Sequence, residues 1–497
     1  MKKFKYIFTL TVLLIAFTSC DERMAEMNTD PLALSTLPAE YLFTTALRGT
    51  FGGSNFISSF HLRFACQYDH IYVTNNEMRS ADQYNDFHTQ DIYDEMFTII
   101  YTGPLRYTNE ILLWTQPGGS QENPVQYAMT DIVAVINFAQ ATDCWGDVPY
   151  TKGAQGATGI LYPPYDTQES IYHDMMDRLQ TAINVLKTAD PKDGFPDGDF
   201  VYHNDMSKWV RFANSLRLRL AMKARFADPA NSAAVITQCM AEPLIETNDQ
   251  NFELKHQISE NSELYNPWWD IRKYINFKMS DKFTESLRAT NDPRLVVFVD
   301  TIQNGDRKGV LNGLNDQAYS LVDWNNRSNP MPALYAKDLS QYMMCASEVY
   351  FLRAEAALYN LAQGDANQLY RQGIRLNMEL WNVAPATITD FLTNQPEATL
   401  NGTQENRFRQ IETQNWIAFI PNFLEAYTNI RRTGYPVIPQ RTNSNILSLG
   451  VTDGVLPTRF KYVTSEYLLN QANVDAAIAQ QGPDKIDTPV WWDVLGK

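Results

Sequence analysis

Apolar residues recur at helical spacing along most of the chain. The clearest stripe lies between Ser207 and Phe226, where Trp209, Phe212, Ala213, Leu216, Leu220 and Ala224 share one face and Lys208, Arg211, Ser215 and Lys223 share another. Asp228-Pro229 ends that helix, because proline disfavours helical geometry in the residue before it. The same spacing predicts a helix entered at Leu37-Pro38-Ala39-Glu40 and carried on through Leu42, Phe43, Ala46 and Leu47 within residues 37–68. One long helix is expected over 88–114 (Ile92, Met96, Ile99, Ile100, Leu105, Ile111, Leu112), another over 124–141 and another over 167–188.

Residues 345–381 predict a helical hairpin. Val349, Leu352, Ala356 and Tyr359 stripe its first helix, and Leu369, Gly373, Leu376 and Leu380 its second. Gln363-Gly364-Asp365 makes the turn, with Gly364 expected in the left-handed cap position. Two helices of about 15 residues joined this way match a tetratricopeptide hairpin, whose repeat is about 34 residues. One pair cannot bury its apolar face alone, so several should stack.

Residues 242–345, 382–405 and 435–497 differ, being Asn- and Pro-punctuated with few long periodic runs. No linker separates them from the rest. Residues 37–497 therefore read as one mostly α domain, with a helical-repeat scaffold over roughly 37–240 and 345–432 and an irregular, loop-rich face.

The first residues decide where the protein works. Lys2, Lys3 and Lys5 precede an uncharged, mostly apolar run of twelve residues, Tyr6 to Phe17, followed by Thr18-Ser19. This reads as a signal peptide over 1–19, too short for a membrane span of about 20 residues. Cys20 at its exit is the expected lipidation site, although Phe17 stands where leucine is commoner. Residues 20–36 read as a tether. Removing the three leader lysines takes the net charge from −16 to −19. So acidic a chain excludes nucleic acid and anionic lipid as main partners. Acyl chains alone would hold it at a membrane.

Cys66, Cys144, Cys239 and Cys345 are widely spaced and expected as buried thiols; the six histidines are scattered. The sequence has no HExxH, GxSxG, Walker or GxGxxG pattern, so no metal, cofactor or catalytic residue is expected. In Asp143-Cys144-Trp145-Gly146-Asp147-Val148-Pro149-Tyr150, Gly146 and Pro149 suit a fixed turn that packs against helices. Asp143 and Asp147 would make a glycosidase pair only at the right separation in space, which sequence spacing does not supply.

TDCWGDVPYTKG, MSKWVRFANSLRLRLAMKA, NDPRL at 291–295 and ASEVYFLRAEAAL at 346–358, in this order, resemble the SusD/RagB family of nutrient-binding outer-membrane lipoproteins. Asn28-Thr29-Asp30-Pro31, Arg431-Arg432-Thr433-Gly434-Tyr435-Pro436 and Trp491-Trp492-Asp493 extend the likeness from Cys20 almost to Lys497, while His203-Asn204-Asp205 departs from it locally. The resemblance implies four TPR-like helix pairs with a ligand-facing irregular region. It also implies a non-enzymatic, surface-facing lipoprotein that captures an oligosaccharide or peptide and delivers it to a SusC-like TonB-dependent transporter. Arg217 and Arg219 would then be buried partners of carboxylates. A surface-anchored glycan hydrolase and a non-binding structural lid of the transporter remain alternatives.

Candidate ligand residues come from aromatic side chains off the helical stripes. Tyr265, Trp268, Trp269 and Asp270 lie in one irregular segment, whose Pro267 and adjacent tryptophans cannot bury both rings on one face. Trp324, beside Asn325-Asn326, and Tyr72, beside Asn75-Asn76, have the same character.

Overall fold

The computed structural model describes residues 38–52, 68–74, 79–85, 90–262, 264–274 and 277–494. The expectations for the leader, Cys20, the tether, Cys66 and Asn75 fall outside these residues.

The scaffold is a succession of packed helices. Helix α1 (Ala39–Phe51) is followed by α2 (Gln90–Thr102), α3 (Pro104–Thr115), α4 (Pro124–Trp145), α5 (Gln168–Leu186), α6 (Met206–Ala224) and α7 (Pro229–Met240). Helix α1 packs on α3, α3 on α4, α4 on α5, α5 on α6 and α6 on α7. Because α4 lies between neighbours, it is buried almost all round, from Ala128 to Ala139. The long helix expected over 88–114 is two helices. Pro104 lacks an N–H and takes the first position of α3, with Gly103 as the break. Helix α6 ends at Ala224, a turn before Asp228-Pro229, and the Asp228 carboxylate caps α7 by accepting the Asn231 N–H.

Strand β1 (Tyr72–Thr74), which precedes α2 in the chain, pairs antiparallel with β3 (Phe277–Met279), and β2 (Phe252–Leu254) pairs antiparallel with β4 (Gln341–Met344). Between them lie two short helices, α8 (Trp268–Tyr274) and α9 (Asp281–Ala289). Trp268 and Trp269 are thus at the start of a helix, not in irregular chain. The second scaffold block comprises α10 (Ala346–Leu358), α11 (Ala366–Leu380), α12 (Pro385–Asn394), α13 (Gln404–Ala418) and α14 (Phe423–Thr433). Helix α10 packs on α11 and α13 and also on α6, which joins the blocks. Its left-handed cap residue is Asn360 (φ 57°); Gly364, at φ 139°, lies farther along the loop.

The motifs that carry the family resemblance converge on buried charge. The Asp143 carboxylate accepts from Lys223 Nζ (2.7 Å), Trp492 Nε1 (3.1 Å) and the Tyr172 hydroxyl, while its carbonyl accepts from Arg431 (2.8 Å). Arg219 binds Glu348 with two bonds of 2.6 Å. Arg217 departs from expectation: it donates to the Met176 carbonyl and the Gln238 side-chain carbonyl, not to a carboxylate. Glu355, fully buried, takes Arg225 at 2.6 Å and Arg432 at 2.7 Å. Arg294 pairs with Asp292 at 2.5 Å and donates to Asn377 and Gln414. The carboxylates of the Asp143 turn are therefore structural. Gly146 (φ 81°) is required there, since a Cβ would lie 1.8 Å from Gln481 Oε1, which accepts the Asp147 N–H.

Cys144, Cys239 and Cys345 are buried free thiols. Among the described residues no helix is long and apolar enough to cross a membrane, and no group of three or more His, Cys, Asp or Glu is placed to hold a metal.

Candidate aromatic ligand sites

Strand alternation sorts the aromatic candidates, because neighbouring residues of a strand point to opposite faces. In β1, Tyr72 points inward and meets Trp268, Phe277 and Phe423 at 5.2–6.3 Å between ring centroids. Both Tyr72 (2 % exposed) and Trp268 (3 %) are core residues. Neither presents a face to a ligand, which corrects the sequence-based expectation for both. The cause for Trp268 is local: the Asn266 side chain accepts the Trp268 N–H, starting α8 and turning this ring under the helix.

Val73 takes the other side of β1 and joins Val310 and Leu314 in a small apolar cluster. Tyr319 and Trp324 pack against that cluster, with their rings 4.8 Å apart. Trp324 is half-buried, and Asn325 and Asn326 after it are exposed. The Arg79 guanidinium covers the Tyr319 ring at 4.1 Å and pairs with Asp316 at 2.9 Å. Buried Asp82 fixes the loop beneath, accepting from the Gly313 N–H (2.6 Å) and Asn312 (3.0 Å). Burial pushes this carboxyl up to about 6, although Arg441 opposes the shift. The result is a braced aromatic corner with amide groups at its edge, able to stack a flat apolar face and hydrogen-bond around it.

A second cluster surrounds Trp269, which is half-buried. Arg272 lies 3.7 Å from the Trp269 ring centroid and 5.3 Å from that of Tyr335. Lys337 lies 5.5 Å from Trp269 and 5.1 Å from Tyr265. Asp270 accepts from Lys273 (2.6 Å) and from the Tyr265 hydroxyl, and these bonds hold it below the usual carboxylate range.

The structure thus separates the sequence candidates into a core pair, Tyr72 and Trp268, and two surface clusters holding Trp324 and Trp269. Arg79, Tyr319, Arg272, Tyr335 and Lys337 were not legible as partners, since cation–ring contacts across distant loops leave no local pattern. A further cavity of about 530 Å³ lies among α3, α4 and α5, with Leu105, Ala134 and Phe138 among its apolar lining. Its charged wall is already matched: Arg178 pairs with Asp131 at 2.5 Å and donates to Tyr150 at 2.7 Å.

Comparison with known proteins bears on the fold as a whole. No curated protein sequence matches. Among solved structures, one described as a chitin-binding protein is 26 % identical over 92 % of this chain and 100 % of its own, with a TM-score of 0.80. A chitin-binding SusD homologue from Flavobacterium johnsoniae is 26 % identical over 90 % of this chain and 99 % of its own, with a TM-score of 0.76. A SusD homologue from Bacteroides uniformis is also 26 % identical, covering 91 % and 99 % with a TM-score of 0.74. The family model for SusD-like proteins, described as starch-binding and associating with the outer membrane, matches residues 31–463. With that match spanning most of the sequence and the same mostly helical architecture in the solved structures, the chain belongs to the SusD-like family.

Proposed function

We propose that this protein captures an oligosaccharide at the outer membrane and delivers it to a SusC-like TonB-dependent transporter, without chemically altering it. The observation that carries the reading is the braced Tyr319–Trp324 corner on the loop-rich face, flanked by exposed amides. Family membership and the chitin-binding descriptions of two similar structures support a glycan as the ligand class. The Cys20 anchor supplies the attachment, and its acidic neighbours Asp21 and Glu22 fit display on the cell exterior.

Trp324→Ala and Tyr319→Ala should each weaken oligosaccharide binding by about tenfold, the scale of one lost aromatic contact. Isothermal titration against a panel of neutral and acidic oligosaccharides, chito-oligosaccharides included, reads this directly. Melting temperatures should stay within a few degrees of wild type. Release of shortened products would indicate a hydrolase instead, and absence of saturable binding a purely structural lid.

Attachment has a separate test. Cys20→Ala should leave the chain unprocessed or move it out of the outer-membrane fraction, and surface protease should reach the wild-type protein in intact cells. Normal fractionation of the variant would remove the acyl anchor from the reading.

A further inference from the structure

Arg272 is placed unlike the other cations of its neighbourhood. Lys273 is spent on Asp270, and Lys337 donates to the Ser259 carbonyl and to Glu260, each at 2.8 Å. Arg272 makes no ion pair and no hydrogen bond among the described residues, and its Nε is buried without an acceptor. Its guanidinium is held by rings, 3.7 Å from Trp269 and 5.3 Å from Tyr335. Ring contact through the guanidinium face leaves the N–H groups, which lie in its plane, to seek acceptors. That plane is a rigid fork matched to two oxygens of one oxyanion.

The same geometry alters what Trp269 offers. A ring face covered by a cation at 3.7 Å is closed to a stacking sugar. The cluster Tyr335, Arg272, Trp269, Lys337 and Tyr265 alternates rings with cations, so it offers charged donors, whereas at the other corner Arg79 covers Tyr319 and, among the described residues, no cation lies over Trp324. The anionic groups nearby do not neutralise Arg272: Asp270 is taken by Lys273 and Tyr265, and Glu260 pairs with Lys337. A ring-held arginine with no carboxylate partner among the described residues can take one from a ligand.

We propose that Arg272 is the oxyanion-recognising residue of a second subsite, and that the captured oligosaccharide is acidic, carrying uronic-acid carboxylates. This rests on the glycan-capture reading above and adds the charge class of the sugar. A neutral acetamido sugar presents a single carbonyl oxygen and would use only part of the fork.

The test titrates the full mature protein in detergent with a galacturonic acid tetramer, an N-acetylglucosamine tetramer and a tetraglutamate peptide. The galacturonate tetramer should bind, and more weakly as salt rises. Arg272→Gln should cut its affinity about ten- to a hundredfold, the range for a hydrogen bond to a charged group. Arg272→Lys should restore only part of it, because lysine keeps the charge without the fork. The melting temperature should stay within a few degrees, since Arg272 makes ring contacts but no hydrogen bond or ion pair among the described residues. Binding of the neutral tetramer alone would overturn the acidic-sugar assignment and leave glycan capture standing, whereas binding of no sugar would overturn both. Undiminished galacturonate binding by Arg272→Gln, or equal dependence of tetraglutamate binding on Arg272, would also overturn it.

Discussion

Glu355→Ala is expected to destabilise the fold by about 3–5 kcal/mol, the cost of leaving buried charge unpaired. The carboxylate is fully buried and joins Arg225 of the α6 end to Arg432 of α14, at 2.6 and 2.7 Å. Its removal leaves Arg225 without a carboxylate and Arg432 with only the longer 3.3 Å contact to Glu412. Glu412, also fully buried, shows the opposite behaviour. Burial, and next the Glu355 charge, push its carboxyl up to about 8 from an ordinary value of 4.5. Burial would raise Glu355 too, but Arg432 and Arg225 outweigh it and hold that carboxyl near 2. The pair therefore holds one proton, on Glu412, at neutral pH.

The signs follow from linkage. Glu412 contributes stability that is complete below pH 4.5 and is lost as pH rises through about 8. Glu355 contributes stability present above pH 4.5 and lost as pH falls toward 2. Glu412→Gln keeps a neutral group in place, so its denaturant midpoint should match wild type near pH 4 and exceed it increasingly toward pH 8. A Glu355→Ala protein as stable as wild type, or a Glu412→Gln profile parallel to wild type, would break this account of the pair.

Trp209→Ala is expected to cost about 3–5 kcal/mol by loss of buried contacts and the cavity left behind. The indole is fully buried, with Phe43, Tyr202, Phe212 and Phe252 all between 5.7 and 6.3 Å from it. It also donates from Nε1 to Asp199 at 2.7 Å, and truncation would leave that buried carboxylate short of a donor. Trp209→Phe should recover most of the packing but not this bond. A calorimetric melt of the alanine variant at the wild-type temperature would show that the stripe on α6 does not face the core.

The helices were legible wherever periodicity alone decides. Trp209, Phe212 and Leu216 face the core as their spacing requires, whereas α6 stops at Ala224, four residues before the limit that Pro229 sets at Asp228. The break between α2 and α3 was less legible, because the apolar stripe continues across Gly103-Pro104 and only the missing N–H interrupts it. The site was half legible. Two adjacent tryptophans do split between inside and outside, but which ring goes in depends on Asn266 starting a helix. Tyr72 was misread because β1 is buried on both sides: Tyr72 meets the aromatic core and Val73 a second apolar cluster, so strand alternation leaves neither exposed. Arg79 and Tyr319 meet from positions 240 apart in the chain, and Arg272 and Tyr335 from positions 63 apart, distances at which composition carries no signal.

Asp143, Lys223, Glu348, Glu355, Arg432 and Trp492 sit inside the scaffold, each held by a buried ion pair or hydrogen bond and out of reach of any sugar. The features by which kinship is detected and the features that would choose a nutrient are thus physically separate populations of residues. Loop positions beyond those bonded to buried Asp82, such as 316–326, can be rewritten, lengthened or exchanged with little effect on the ionic interior, so dietary specialisation and fold maintenance can be selected independently. Two members of this family with near-identical buried motifs need not share a food, and two that share one need resemble each other only in a few surface rings and cations.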